Sequence, residues 1–523
     1  MSVVAWLLVF ILILIQPFIN RITYPDGMIF DLSVLLFCVA LSLCLANVEL
    51  LNREKLYRVL VCFLVTTAVL TVITQLAQYL RLDLPRSLIF PNFSETRIGG
   101  NLSQPNQVAF VLSLGVAGLL YLSSTSQRLV IGMLLTVPII LLGIGLGLTA
   151  SRTGVALMAV VLLGYLILFR VPTHNKLIIG SMASLLLIVG YMGGSQLLTT
   201  YNSVALSGIE RLSGDALNLR WYQLQQAAIM FNDHKLTGIG WGNLLGASVD
   251  YAQELPWFSA TAHTHFFVSQ IAVETGIIGL FVLLPFAYIL LANFSFKLPN
   301  YQAAIYTMLA VFIAYSCSEF PLWLPMYLIV FVILLSLIDQ RSYELSQRFR
   351  LLTKNGSLVV SILLIAGSIY YQIQYRNYSK VHYALTENAF SQEEKITRLT
   401  AQNPVFGFEK FDDLFLFYLM SEDTVGLEYK IELTDKVLSQ SVSYYTMAKS
   451  ANMYLLAGNK EKALTLYEAA CVFRNAQDCP VLSQQMNQNA GIGGEDLKWV
   501  NKHFQKWRKN NPDKTQYSGV AKP

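Results

Sequence analysis

About eleven apolar stretches, each close to the roughly 20 residues that a bilayer's hydrocarbon core demands of a spanning helix, dominate this chain before residue 376. They fall near 3–19, 29–46, 59–80, 105–123, 128–149, 153–169, 177–193, 265–293, 301–317, 321–338 and 357–375. In lipid every backbone amide must be satisfied within its own segment, so each stretch is expected to be a helix. The alternating pattern of a membrane barrel is absent. The expected fold is all-α: a polytopic membrane protein with about eleven transmembrane helices. Composition agrees, since 54% of the 523 residues are hydrophobic and only 13% charged, which excludes a water-soluble enzyme. The net charge of +5 is too slight and scattered for a nucleic-acid partner, whose footprint is a clustered basic face. No Lys or Arg precedes the first run and no small-residue cleavage site follows it, so it is expected to be a retained helix rather than a signal peptide.

Basic residues in the short connectors set the orientation. Arg53, Lys55 and Arg58, then Arg170 and Lys176, then Arg341, Arg348, Arg350 and Lys354 fall on connectors of one parity, which is therefore cytoplasmic along with the amino terminus. The connectors 81–104 and 195–262 and everything after 376 then face the other side. Segment 195–262 is too long for a turn; loops of this length are usually functional or disordered, and its aromatic content argues for an ordered one.

Two domains are expected: a membrane catalytic part, 1–375, carrying the large loop 195–262, and a helical part, 376–523. In the second, Ala448, Ala451, Tyr454, Leu455, Gly458, Ala463, Leu464, Tyr467 and Ala470 follow the packing pattern of one tetratricopeptide-type helix pair with Gly458 at the turn. Neighbouring helices near 383–402 and 427–440 would have to complete its stack, an ordinary helical hairpin being the alternative. Of six cysteines, Cys38, Cys44, Cys62 and Cys317 lie in apolar runs, while Cys471 and Cys479 lie in the polar tail, close enough to pair in an oxidising compartment.

The chemistry-bearing candidates are polar groups that a membrane protein carries only at a cost. In RIGGNLSQPNQVAF (97–110), Asn101, Gln104, Asn106 and Gln107 offer amides beside Gly99 and Gly100, and Pro105 suits the first turn of a helix, whose free amides favour an anion. In LTASRTGV (148–155), Ser151 and Arg152 occupy a very short connector, where a guanidinium fork suits phosphate oxygens. Arg220 opens an amphipathic stretch that ends in a turn through Gly238, Gly240 and Gly242. Two arginines on one side could share a pyrophosphate, although either could equally be an interfacial or solvated cation. In TAHTHFFVSQIAVETG (261–276), His263 and His265 are two apart, which is not metal spacing, and a neutral imidazole is a competent general base. Gln270 and Glu274 share a helical face. Glu319 stands before Pro321 in YSCSEFPLWLPMY (315–327), where Pro325 is expected to prevent a regular helix start.

Together, GNLSQPNQVA, LTASRTG, the 220–243 stretch ending DHKLTGIGWGN, HTHFFVSQIAVETGIIG and SEFPLW resemble the bacterial O-linking oligosaccharyltransferases, the pilin and general protein glycosylation ligases of the O-antigen ligase and polymerase superfamily. The likeness runs in order over residues 97–338. It implies a multi-pass protein of the bacterial inner membrane whose site and C-terminal domain face the periplasm. The implied donor is an oligosaccharide on undecaprenyl pyrophosphate and the implied acceptor a Ser or Thr hydroxyl of an exported protein, such as a type IV pilin. By position the likeness gives Arg152 and Arg220 to the pyrophosphate, His265 to acceptor activation and Gln104 to the Gln-Pro-Asn motif; Asn101, Ser151, His263, Glu274 and Glu319 are the supporting candidates, and no acidic pair stands out as a metal site, so no metal or other cofactor is expected. Phe266 stands where the family commonly has Asn, and Tyr315 where it often has His, which bears on acceptor preference. An O-antigen ligase or polymerase using the same site, a transporter or flippase, and a non-catalytic scaffold are the rival readings.

Overall fold

The computed structural model describes residues 1–512 apart from 21, 49, 87, 93, 95, 126–128, 205, 207–215, 255–259, 340–346, 386–389, 402–404, 474–478, 480, 481 and 483–493. Over those residues the protein is all-helical. Every apolar run lies on a helix: α1 (Ser2–Ile19), α2 (Pro25–Ala46), α3 (Leu50–Tyr79), α4 (Pro105–Thr125), α5 (Leu129–Thr149), α6 (Arg152–Leu168) and α7 (Thr173–Tyr201) come first. Helix α8 (Ala216–Asp233) and the short α9 (Leu244–Ala247) separate them from α10 (Phe267–Val282), α11 (Leu284–Ala292), α12 (Asn300–Ser316), α13 (Pro325–Ile338) and α14 (Gln347–Leu385). Among the described residues five helices are long and apolar enough to cross a membrane, or six when α10 and α11, bent by 45°, count as one broken span. The protein is thus a multi-pass membrane protein. The 17 residues of α6 and the 14 of α13 rise only about 26 and 21 Å at 1.5 Å per residue, less than the roughly 30 Å core.

Two details differ from the sequence expectation. Helix α7 runs to Tyr201, so the large loop begins later than residue 195 and itself contains α8 and α9. Pro325 starts α13 instead of blocking it, because the first helical position needs no amide hydrogen and accepts proline's fixed φ.

The chain divides into two compact units. The first comprises 1–3, 41–214 and 285–350. Within it α4 is buried from Val108 through Tyr121, and Gly115 lets α3 approach, since a Cβ there would lie 2.5 Å from that of Ala68. Helices α5 and α7 meet backbone to backbone: a Cβ on Gly194 would come within 2.1 Å of the Ile144 carbonyl oxygen. Small residues at such seams are what membrane helices use where no hydrophobic driving force separates helix from lipid.

The second unit comprises 4–40, 215–284 and 351–523. Its tail holds α15 (Gln392–Thr400), α16 (Glu409–Leu419), α17 (Leu427–Gln440), α18 (Tyr444–Leu456), α19 (Lys460–Val472) and a final helix, Gly494–Asn510. Ser443 and Thr446 form a capping box that starts α18, Gly458 turns the chain at φ +74°, and Asn459 caps α19. Ala451, Tyr454, Leu455, Ala463, Tyr467 and Ala470 are buried in this hairpin, closed from the far side by Phe504. A disulfide joins Cys471 to Cys479. The connector between α1 and α2 and the start of α2 are tied to both the tail and the large loop. Tyr24 Oη donates to Asp413 (3.1 Å), the Gly407 amide to Asp26 (3.0 Å), Asn20 to the Thr237 carbonyl (3.4 Å) and Trp241 Nε1 to Asp31 (2.8 Å).

Candidate functional site

In the first unit the polar motifs converge on Asn106, in the first turn of α4. Its amide nitrogen donates to Glu319 (2.7 Å), and its carbonyl oxygen accepts from Arg97 Nη2 (2.8 Å) and from the Ser151 hydroxyl (2.8 Å). Arg97 Nε also donates to the Thr149 carbonyl (2.8 Å). Ser151 caps α6 by accepting from the Gly154 amide (3.0 Å), which sets Arg152 as the first residue of that helix, half-buried. Ser151 and Glu319 are buried. Gln104 folds back to accept the Gln107 amide (2.6 Å), and Asn101 ties down the preceding segment through Phe90 and Leu88. These two amides therefore shape the turn. Gln75 and Gln78 on α3 support it from behind by donating to the carbonyls of Ile98 and Gly100.

In the second unit the two histidines stand in a short loop before α10. The Thr264 amide donates to Gln270 Oε1 (2.8 Å), Gln270 Nε2 returns to the Ala262 carbonyl (3.2 Å), and the Thr264 hydroxyl meets Ser269 (2.6 Å). The loop is neither helix nor extended strand, because His265 adopts φ +58°. Below it, Gln270 and Glu274 do share a face, and the buried Glu274 carboxyl takes hydrogen bonds from Gln270 and from the backbone amides of Gly242 and Leu244. The Gly-rich turn lies flat on α10: Ile239 donates to the Val273 carbonyl (2.9 Å) and Gly240 to that of Glu274 (3.0 Å). Gly238, at φ +71°, must be glycine, since a Cβ would sit 2.3 Å from the Glu274 carbonyl carbon. Arg220 is half-buried on α8.

Among the described residues only four that are not glycine have positive φ: Arg81, Ser103, Ala150 and His265. Three of the four stand within the motifs, beside Gln104, beside Ser151, and at His265 itself. A left-handed residue with a Cβ costs about 1–2 kcal/mol, and such strain persists where the surroundings over-determine it, typically at functional sites. Asn101, Gln104, Ser151, Arg152 and Glu319 thus belong to one unit, and Arg220, His263, His265 and Glu274 to the other. Arg97 and Asn106 are the contributors that sequence reasoning underrated; both lie inside the RIGGNLSQPNQVAF segment (97–110), whose crowding of polar groups was the available signal.

Comparison with known families fits this arrangement. The O-antigen ligase family model matches residues 137–284, which include Arg152, Arg220, both loop histidines and Glu274. The model described as virulence factor membrane-bound polymerase, C-terminal, matches residues 303–485, from α12 through the disulfide. The chain belongs to the O-antigen ligase and polymerase superfamily. No curated protein sequence matches it. Membership of this superfamily supports a membrane ligase or polymerase activity on a lipid-linked glycan, with that glycan and an acceptor as its partners.

Proposed function

We propose that this superfamily member transfers a preassembled glycan en bloc from undecaprenyl pyrophosphate to a Ser or Thr hydroxyl of an exported protein, a type IV pilin being the expected acceptor. The observation that carries the reading is His265, held at φ +58° in a loop pinned by Thr264 and Gln270, which presets an imidazole at the start of α10. In the reaction His265 takes the hydroxyl proton as the acceptor oxygen bonds to the anomeric carbon. The bond from that carbon to the pyrophosphate oxygen breaks, and configuration inverts. Arg152, at the capped start of α6, and Arg220, on α8, are assigned to the charge that grows on the leaving pyrophosphate, with no metal ion. Ser151 and Glu319, joined through Asn106, fix the surroundings of Arg152.

The protein is assigned to the bacterial inner membrane with the site and tail in the periplasm. Basic residues on connectors of one parity support this, as do the hydrogen bonds that tie the tail and large loop to residues 20–31. The pilin branch draws on the Gln-Pro-Asn and Glu-Phe-Pro-Leu-Trp segments. A second reading, extension of the lipid-linked glycan, draws on the polymerase match over 303–485.

The test supplies cells with a lipid-linked oligosaccharide and a candidate pilin, and compares wild type with His265→Ala and Arg220→Ala at matched membrane levels. Loss of a general base is expected to slow transfer about 10²–10⁴-fold, and loss of the arginine about 10²–10³-fold. Transfer is expected to continue in EDTA. A lengthened lipid-linked glycan with unmodified pilin would favour the polymerase; undiminished transfer in both variants would refute the site.

A further inference from the structure

The second unit contains an open cavity of about 380 Å³ that the transfer chemistry does not use. Its walls come from the start of α2, the Trp241–Asn243 turn, α14 and the Gly407–Phe411 segment. Aromatic rings run along one side: Phe30 lies 6.4 Å from Tyr371, Tyr371 5.9 Å from Phe408, and Phe408 5.5 Å from Phe411, centroid to centroid. Phe30 and Phe411 are more than two-fifths exposed, so this aromatic surface is open. The same cavity is lined by the Asp31 carboxylate, which accepts from Trp241 Nε1, by the Lys410 ammonium and by Asn243, whose amide nitrogen donates to the Ile239 carbonyl.

We infer that this cavity binds a saccharide. A sugar ring offers an apolar face of C–H groups and a rim of hydroxyls that both donate and accept. Flat aromatic faces match the first, and an acceptor (Asp31) beside a donor (Lys410) matches the second. An acyl or isoprenoid chain would instead take water from the Asp31 and Lys410 charges and offer them no hydrogen bond in its place, at a cost of several kcal/mol in an apolar medium. The volume lies within the ~300–1,000 Å³ of ligand pockets, enough for a short saccharide. The same turn that forms one wall gives the Gly242 and Leu244 amides to Glu274, on the helix that follows His265, so an occupied cavity is coupled through one rigid turn to the loop of the proposed base. The source of the sugar, donor glycan or growing acceptor chain, rests on the glycan-transfer reading; the cavity's chemistry does not.

The experiment is saturation-transfer difference NMR on the full-length protein in lipid nanodiscs. Its probe is the free oligosaccharide released by mild acid from the host's lipid-linked donor. Sugar ring protons are expected to saturate on wild type and on His265→Ala. Binding is expected to weaken about tenfold in Phe411→Ser and in Lys410→Gln, both changes at the cavity rim that leave the melting temperature near that of wild type. Displacement by intact lipid-linked donor would identify the donor glycan as the occupant, and binding that withstands it an acceptor saccharide. No saturation on wild type, equal saturation in both rim variants, or saturation of added decyl phosphate chains in place of sugar protons would overturn the inference. Wild type that binds sugar here yet glycosylates nothing would sink the transfer reading alone.

Discussion

Asn106 binds an arginine, a serine and a glutamate from three other segments, and no side chain with only donors or only acceptors could replace it. Asn106→Ala removes a shared partner from three polar groups, two of them buried, and is expected to cost about 1–3 kcal/mol, read by thermal unfolding in mild detergent. An unchanged melting temperature would show that water replaces the amide. His265 separates conformation from chemistry in a comparable way. Its left-handed φ is comfortable only for glycine, so His265→Gly is expected to be more stable than His265→Ala by about 1 kcal/mol, while both lack transfer. Equal stability of the two variants would mean that the loop relaxes. His265 was legible in the sequence as a candidate base because an imidazole stands there beside an apolar helix. Its φ was not, since Thr264, Ser269 and Gln270 impose it through the folded loop.

Among the elements, α10 and the Gly-rich turn depend on each other. A Cβ on Gly276, at φ +67°, would lie 2.2 Å from the Leu236 carbonyl oxygen, so Gly276→Ala is both strained and obstructed. It is expected to lose at least about 1–3 kcal/mol and to loosen the His265 loop, measured as faster proteolysis within 234–276. The acidic patch around α16 is sensitive to pH. Burial raises the Asp413 carboxyl above its ordinary value, with Glu432 and Asp26 adding to the rise against the Tyr24 hydrogen bond and Lys436, and burial beside Asp413 raises Glu409 as well. A raised carboxyl favours the folded state most below the ordinary value of about 3.9, and that advantage is lost as pH rises through the folded value. Asp413→Asn keeps an acceptor for Tyr24, so its melting temperature is expected to exceed that of wild type by a margin that widens from pH 4 upward. A constant margin would show that burial of the carboxylate carries no penalty.

At the scale of the whole molecule the prediction concerns sidedness. With the four free cysteines replaced by alanine and the Cys471–Cys479 pair retained, single reporters at Arg86→Cys and Glu393→Cys are expected to react with a membrane-impermeant maleimide on intact spheroplasts, and Lys55→Cys only after lysis. All three positions are exposed. The reverse pattern would invert the topology, and labelling of Arg86 without Glu393 would change the count of crossings between them.

What the sequence determined by itself was whatever depends on neighbours along the chain. Lipid leaves a long apolar run no choice but helix, so the helices were legible one by one, and Gly458 between two small-residue faces was enough to locate α18 and α19. The capping box of α18 and the Asn459 cap of α19 are equally local. The tertiary structure alone decided which polar groups meet. Arg97, Asn106, Ser151 and Glu319 come together because α4, α6 and the segment after α12 pack in one unit, and Glu274 turns out to lock a turn more than thirty residues upstream. It also decided the bend between α10 and α11, and Pro325 as a helix start. Hydrogen bonds between distant segments depend on packing distances of a few tenths of an ångström, and local residue spacing carries no record of those.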